Sequence, residues 1–98
     1  MAELRIEWDE ATNRANQRKH RVSFQEAATV FYDENALLLN DPEHSTEEDR
    51  FVLLGLSSVH RIIVVCHCYR SDNDVVRIIS ARRATRPERR VYVQRWRP

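Results

Sequence analysis

Apolar residues change their period several times along the chain, and each change marks an element. Residues 3–8, "ELRIEW", alternate as a short strand does. Asp9 stands where it can cap a helix through about Arg18, after which Arg18, Lys19, His20 and Arg21 gather cations at the helix end, where they suit its dipole. "SFQE", 23–26, has the capping-box form, with Ser23 at the cap and Glu26 three residues on. Phe24, Ala27, Ala28 and Phe31 then recur at helical spacing and predict a second short helix to about Tyr32. Four runs rich in Val, Ile and Leu follow, Ala36–Asn40, Arg50–Leu56, Arg61–Tyr69 and Val75–Ser80, separated by polar stretches and expected to form an antiparallel meander. The third, "RIIVVCHCY", is apolar at both parities, which places it centrally with both faces covered. Gly55, the chain's one glycine, lies within a strand and signals a bulge or a close backbone approach. Finally "TRPE", 85–88, repeats the capping box with Pro87 in the first turn, so a third helix starts at Thr85 or Arg86 and carries Val91, Tyr92 and Trp96.

These elements predict an α+β fold in a single domain over residues 1–98, with two N-terminal helices, a meander sheet and a C-terminal helix. A chain of 98 residues can bury one modest core, roughly 60–65 % of its unfolded surface. It shows no repeat, no low-complexity linker, no signal-peptide pattern and no apolar run of membrane-spanning length, so a soluble, cytoplasmic protein with no membrane contact is expected. Cys66 and Cys68 fall on one strand face with Cα atoms about 6.5–7 Å apart, at or beyond the usual reach of a disulfide, which predicts reduced thiols.

Charge changes the picture through its distribution. The formal net charge is only +1, yet segment 22–49 holds eight carboxylates and no Lys or Arg, whereas segment 77–98 holds eight Arg against the single Glu88. Fifteen of the sixteen basic residues are Arg, the side chain whose planar fork of donors matches phosphate oxygens. The arginines of "RIISARRATRPERR", 77–90, straddle a strand end and a helix start, where free backbone N–H groups already favour anions. Arg82, Arg83 and Arg86 there suit a phosphate pocket; the competing reading is that they neutralise segment 22–49 in surface ion pairs worth about 0–1 kcal/mol each.

Four stretches in order, "IEWDEATNRANQRKHRVSFQEAATVFYDE", "DPEHSTEEDRFVLLGLS", "IIVVCH" and "VRIISARRATRPERR", resemble the BrnT family of type II toxins, small ribonucleases made alongside an antitoxin. The resemblance implies a RelE-like fold and RNA cleavage that arrests translation. It also implies neutralisation by a BrnA-type ribbon-helix-helix antitoxin in a heterotetramer, with operator DNA contacted only through that partner. Two positions depart from the family's pattern: Arg21 stands where a helix-ending Gly is usual, and Tyr69 where an acidic residue is usual.

Metal-independent RNA cleavage needs a base for the 2′-OH, an acid for the leaving oxygen and positive charge on the phosphate between them. One well-placed charge-stabilising donor is worth about 3–4 kcal/mol, so two or three arginines can outweigh the proton shuttle. Arg77, Arg82 and Arg83 are therefore the expected phosphate holders, His67 the proton carrier and Ser80 its positioning partner, with Arg61, Arg86 and Arg89 gripping flanking RNA and no cofactor or metal. An even-membered turn near "RSDNDV" would put His67 on the face of Val76, Ile78, Ser80 and Arg82, and is the expected register; an odd loop or bulge would align it with Arg77 and Arg83. His67 is otherwise a core histidine satisfied by a carbonyl, His20 a helix-end residue, and His44 and His60 exposed loop residues. Trp8, Tyr92 and Trp96 read first as core or interface packing and second as base-stacking platforms. The rival to an enzyme is a non-catalytic arginine-rich module that binds RNA or protein.

Overall fold

The structure, a computed structural model, describes residues 4–40, 50–70 and 74–96. Its elements are β1 (Arg5–Glu7), α1 (Glu10–His20), α2 (Phe24–Thr29) with a 3-10 turn at Val30–Tyr32, β2 (Leu37–Asn40), β3 (Arg50–Leu56), β4 (Ile62–Arg70), β5 (Val75–Arg83) and α3 (Arg86–Trp96). The strands form one sheet in the order β1-β5-β4-β3-β2. β2 to β5 make the expected antiparallel meander, but β1 joins the far edge parallel to β5, pairing Arg5 with Val75 and Glu7 with Arg77. His44 and part of the turn after Arg70 lie outside the described residues.

The caps form largely as the sequence indicates. Asp9 accepts from the Thr12 N–H at 2.9 Å, and Ser23 from the Glu26 N–H at 3.0 Å. Glu26, however, turns away from its own cap to Arg61 and Ser57, so only half of that capping box exists. The second box is complete: Thr85 N–H donates to Glu88 at 2.8 Å, and Glu88 N–H to Thr85 Oγ1 at 3.4 Å. α1 runs past Arg18 to His20 and ends at Arg21, which itself takes the left-handed conformation (φ 59°, ψ 32°) that a glycine would adopt freely.

Two cores flank β4, the middle strand. On one face α1, α2 and the 3-10 turn close Val22, Phe24, Ala27 and Val30 over Leu53, Ile63, Val65, Ile78 and Ala81, with Trp8 edge-on to Phe24. On the other, α3 lays Tyr92 on Leu54 and Val64, and the Tyr92 hydroxyl donates to Asp33 at 2.5 Å. Trp8 and Tyr92 are thus packing residues. Gly55 marks close approach: a Cβ there would lie 2.8 Å from Val30 Cγ1.

Two buried asparagines stitch α1 to the rest. Asn13 donates to Glu10 and Gln25 and accepts from the Phe24 N–H, while Asn16 donates to the carbonyls of Val22 and Ala81 and accepts from the Ala81 N–H. These bonds satisfy amides that would otherwise cost about 1–3 kcal/mol each to bury.

Candidate functional site

The register between β4 and β5 decides which side chains can act together. From the turn, Tyr69 faces Val76, Cys68 faces Arg77 and His67 faces Ile78; then the register shifts, so that Cys66 faces Ser80, Val65 faces Ala81, Val64 faces Arg82 and Ile63 faces Arg83. Ile79 is the extra residue of a β-bulge, and a bulge reverses the parity of everything beyond it. The expected register is therefore corrected: His67 shares its face with Val76 and Ile78 but not with Ser80 or Arg82. Arg77, Ser80 and Arg82 instead lie together on the opposite face, with Cys66 and Cys68, and Arg83 turns to the face of α1 and α2.

His67 is 0 % exposed. Phe31 packs edge-on at 4.8 Å, Phe51 stacks at 6.1 Å and Tyr69 stands edge-on at 5.3 Å. Its Nδ1 lies 3.3 Å from the Val65 carbonyl, which can only accept, so the proton sits on Nδ1 and Nε2 accepts from the Tyr69 hydroxyl at 3.3 Å. Burial pushes the imidazole below its ordinary pKa, against the opposing pull of the Val65 carbonyl, and pushes the Tyr69 phenol up. This is the core histidine anticipated as the alternative, walled off from solvent.

On the opposite face the arginines are held by carboxylates outside the acidic segment. Arg82 makes a two-pronged pair with Glu88 (2.8 and 3.0 Å), and Arg77 (2.7 Å) and Arg70 (3.4 Å) share Glu7. The bond from Arg82, with two more from Thr85, holds the Glu88 carboxyl at about 2, and Glu88 in turn raises Arg82. Glu88 also occupies the backbone N–H at the start of α3, so the phosphate pocket expected from that helix end already contains the protein's own carboxylate. The side chains of Arg77 and Arg82 keep 34 % and 42 % of their surface, enough to meet a ligand while fixed in place. Ser80 and Cys66 between them are half-buried.

A second cationic region lies at the other end of β4. His60, Arg61, Ile62, Arg83, Ala84 and Arg89 line an open cleft of about 490 Å³, and Arg86, Arg89, Arg90, Val93 and Gln94 line a shallower neighbour of about 380 Å³. Arg61 is anchored there by a charge-assisted pair with Glu26, the one such link from this arginine set to the acidic segment among the described residues. That pair, helped by the Ser57 hydroxyl, keeps the Glu26 carboxyl below the usual range and Arg61 above its own. The three arginines expected to grip flanking RNA thus converge on adjoining clefts, joined by Arg83 and by His60, which the sequence marks only as a loop residue. Arg61 stands six positions before His67 along extended chain, about 20 Å away.

Among the described residues no cluster of His, Cys, Asp and Glu has the form of a metal site, and no helix is long and apolar enough to cross a membrane. The Glu7, Glu88 and bulge interactions were not readable as site features; only the Thr85–Glu88 spacing gave a signal, and it pointed to the cap.

Comparison with known proteins places this geometry. The crystal structure of the Brucella abortus ribonuclease toxin BrnT is similar over 86 % of this chain and 100 % of that one, with TM-score 0.65 and 23 % identity, which establishes the shared α+β fold. A comparison with curated proteins gives no match. The family model for the ribonuclease toxin BrnT of type II toxin-antitoxin systems matches residues 8–88, which span the buried residues of the first core, the bulge and the capping box of α3. The chain belongs to the BrnT family of ribonuclease toxins.

Proposed function

We propose that this toxin cleaves RNA without a metal ion, on the sheet face that carries Arg77, Ser80 and Arg82. The observation that supports this reading is the bulge at Ile79, which turns those three residues of one strand to the same side. Glu7 and Glu88 fix the two guanidinium groups at either end of the row, and each Arg retains N–H donors beyond those its carboxylate uses. A phosphodiester laid along β5 would meet charge at both ends and the Ser80 hydroxyl between them. Preorganised donors of this kind stabilise the crowded phosphate of the transition state with no reorganisation at the moment of reaction. His67, enclosed on the other face, serves the fold; the 2′-OH proton passes to water, the leaving 5′-oxygen takes one from water, and charge stabilisation by the arginines carries most of the rate enhancement.

Arg61, Arg83, Arg86 and Arg89 then hold neighbouring phosphates in their two clefts, and a BrnA-type antitoxin neutralises the toxin by covering the arginine surface. Naked RNA incubated with purified protein, with and without chelator, tests the reading. We expect cleavage insensitive to chelator, loss of cleavage when the target nucleotide is 2′-deoxy, and about a 10²–10³-fold fall for Arg77→Ala or Arg82→Ala. Chelator-sensitive cleavage, or full activity in both variants, overturns it. A non-catalytic binder would instead bind RNA and leave it intact.

A further inference from the structure

The turn from β3 to β4 closes with the Ser57 N–H on the Arg61 carbonyl at 2.8 Å and the His60 N–H on the Ser57 carbonyl at 2.9 Å. It sets His60 at φ 65°, in the left-handed region where glycine rests freely and a side chain does not. Backbone of this kind collects at ligand sites. Here it presents an exposed imidazole to the cleft of about 490 Å³ between the turn and the start of α3. Half-buried Ile62 and Ala84 give that cleft an apolar lining, and Arg61, Arg83 and Arg89 a cationic one. The three arginines are not equivalent. Glu26 holds Arg61, whereas Arg83 and Arg89 are exposed and bond no carboxylate among the described residues. Arg83 only adds its charge to the field at Glu26. Arg89 also lines the neighbouring cleft, so a phosphate linking nucleotides seated in the two clefts falls to it, while Arg83 lines the first cleft alone.

A guanidinium only donates, so Arg83 selects a base edge made of acceptors. Guanine's N7 and O6 form such an edge and take an arginine in a two-pronged pair; adenine and cytosine place an amino donor there, and uracil offers a single acceptor. The cleft has the volume of a small-ligand site, and an imidazole plane stacks on an unpaired base. We infer that this cleft seats one guanine of the RNA, with N7 and O6 on Arg83, its face against His60 and the apolar lining, and its phosphate on Arg89. Arg83 and His60 thereby set which sequences the toxin cuts. That the guanine belongs to the strand being cut rests on the cleavage reading above; the binding itself does not.

The full-length purified toxin is titrated calorimetrically with 5′-GMP, 5′-AMP, 5′-CMP, 5′-UMP and inorganic phosphate, and its cuts in a random-sequence RNA are mapped by sequencing the fragments. The expected result is GMP bound about tenfold more tightly than the other four probes, and guanine enriched at one fixed position beside the cut. Glutamine pairs with adenine's N6 and N7, so Arg83→Gln should lose about tenfold on GMP, gain on AMP and move the enriched base from guanine to adenine. His60→Gly relieves the left-handed backbone and should raise the melting temperature while weakening GMP at least about threefold, a split that a purely structural histidine would not give. The inference is overturned by equal affinity for the four nucleotides, by phosphate binding as tightly as GMP, by an unchanged preference in Arg83→Gln, by undiminished GMP binding in His60→Gly, or by cuts with no guanine at a fixed position. The nucleotide titrations need no cleavage. If GMP binds as expected while Arg77→Ala and Arg82→Ala cut at full rate, the guanine site stands and the cleavage face is the reading that fails.

Discussion

On one face of β4, His67 is walled in by Phe31, Phe51 and Tyr69, while one residue away Cys66 looks across to Ser80 in a field of arginines. Both faces of this central strand carry polar chemistry, and only the packing above them differs. Under the 3-10 turn and α2 the imidazole is desolvated and held neutral. On the other face α3 covers the end that carries Leu54 and Val64, and the end that carries Arg77 and Ser80 stays accessible. A residue type that suggests catalysis is thus informative only once its face is known, and here a single extra residue in β5 assigns the faces.

Deleting Ile79 is the most drastic way to break this division. Without the bulge one side of β5 must slip by a residue, driving either Arg77 or Arg82 toward the α1–α2 core. An uncompensated buried charge costs about 3–5 kcal/mol, so thermal denaturation should show a protein unfolded or nearly so. His67→Ala comes next: the vacated space and the Tyr69 hydroxyl left without its acceptor should lower unfolding free energy by about 2–4 kcal/mol in denaturant titrations. Cleavage per folded molecule should hardly change, in contrast to Arg82→Ala, and a loss of cleavage at full stability would return His67 to the chemistry.

Gly55→Ala sharpens the contrast at the scale of one methyl group. With Val30 Cγ1 2.8 Å and Ala36 Cβ 3.0 Å from the new atom, overpacking should cost about 1–3 kcal/mol. Ser80→Ala on the accessible face should leave the melting temperature within about a degree or two.

The pH dependence of stability separates the two faces again. His67 is depressed below 6.5 in the folded state, so the unfolded chain binds its proton first; the stability from neutral His67 is complete above 6.5 and lost as pH falls toward the folded value. Glu88, folded at about 2 against 4.5, contributes stability that is full above 4.5 and lost only between there and about 2. Unfolding midpoints should therefore decline in two stages on acidification, and His67→Phe should remove the upper one alone. The one change expected to stabilise is Arg21→Gly, which relieves a left-handed backbone at the end of α1 and should raise stability by about 0.5–1 kcal/mol.

Much of the architecture was legible because local signals agree with it. β3 spans Arg50–Leu56 as its apolar run indicates, Thr85 and Glu88 cap α3 reciprocally, and the doubly apolar strand is the middle one. The bulge was illegible because nothing in composition marks it: the chain's one glycine serves a close contact elsewhere, and Ile79 is an ordinary strand residue. Asn13 and Asn16 carry no signal in the sequence, since only the folded chain shows the backbone groups they answer. The parallel docking of β1 is likewise a tertiary choice that three residues cannot announce. The arginine cluster was visible as a cluster, but its division between two faces followed from parity, which a masked one-residue insertion inverts.

Beyond Arg77 the outer rim of β5 passes the end of the short β1, and there the Asn16 carboxamide both gives to and takes from the main chain of Ala81. A foreign strand seeking to lengthen the sheet on this side finds its docking groups already spoken for by a side chain. Among the described residues the opposite border is β2, where Leu38 and Leu39 stand half uncovered, and growth by strand addition is steered there. One amide in the first helix thus closes a flank of the sheet.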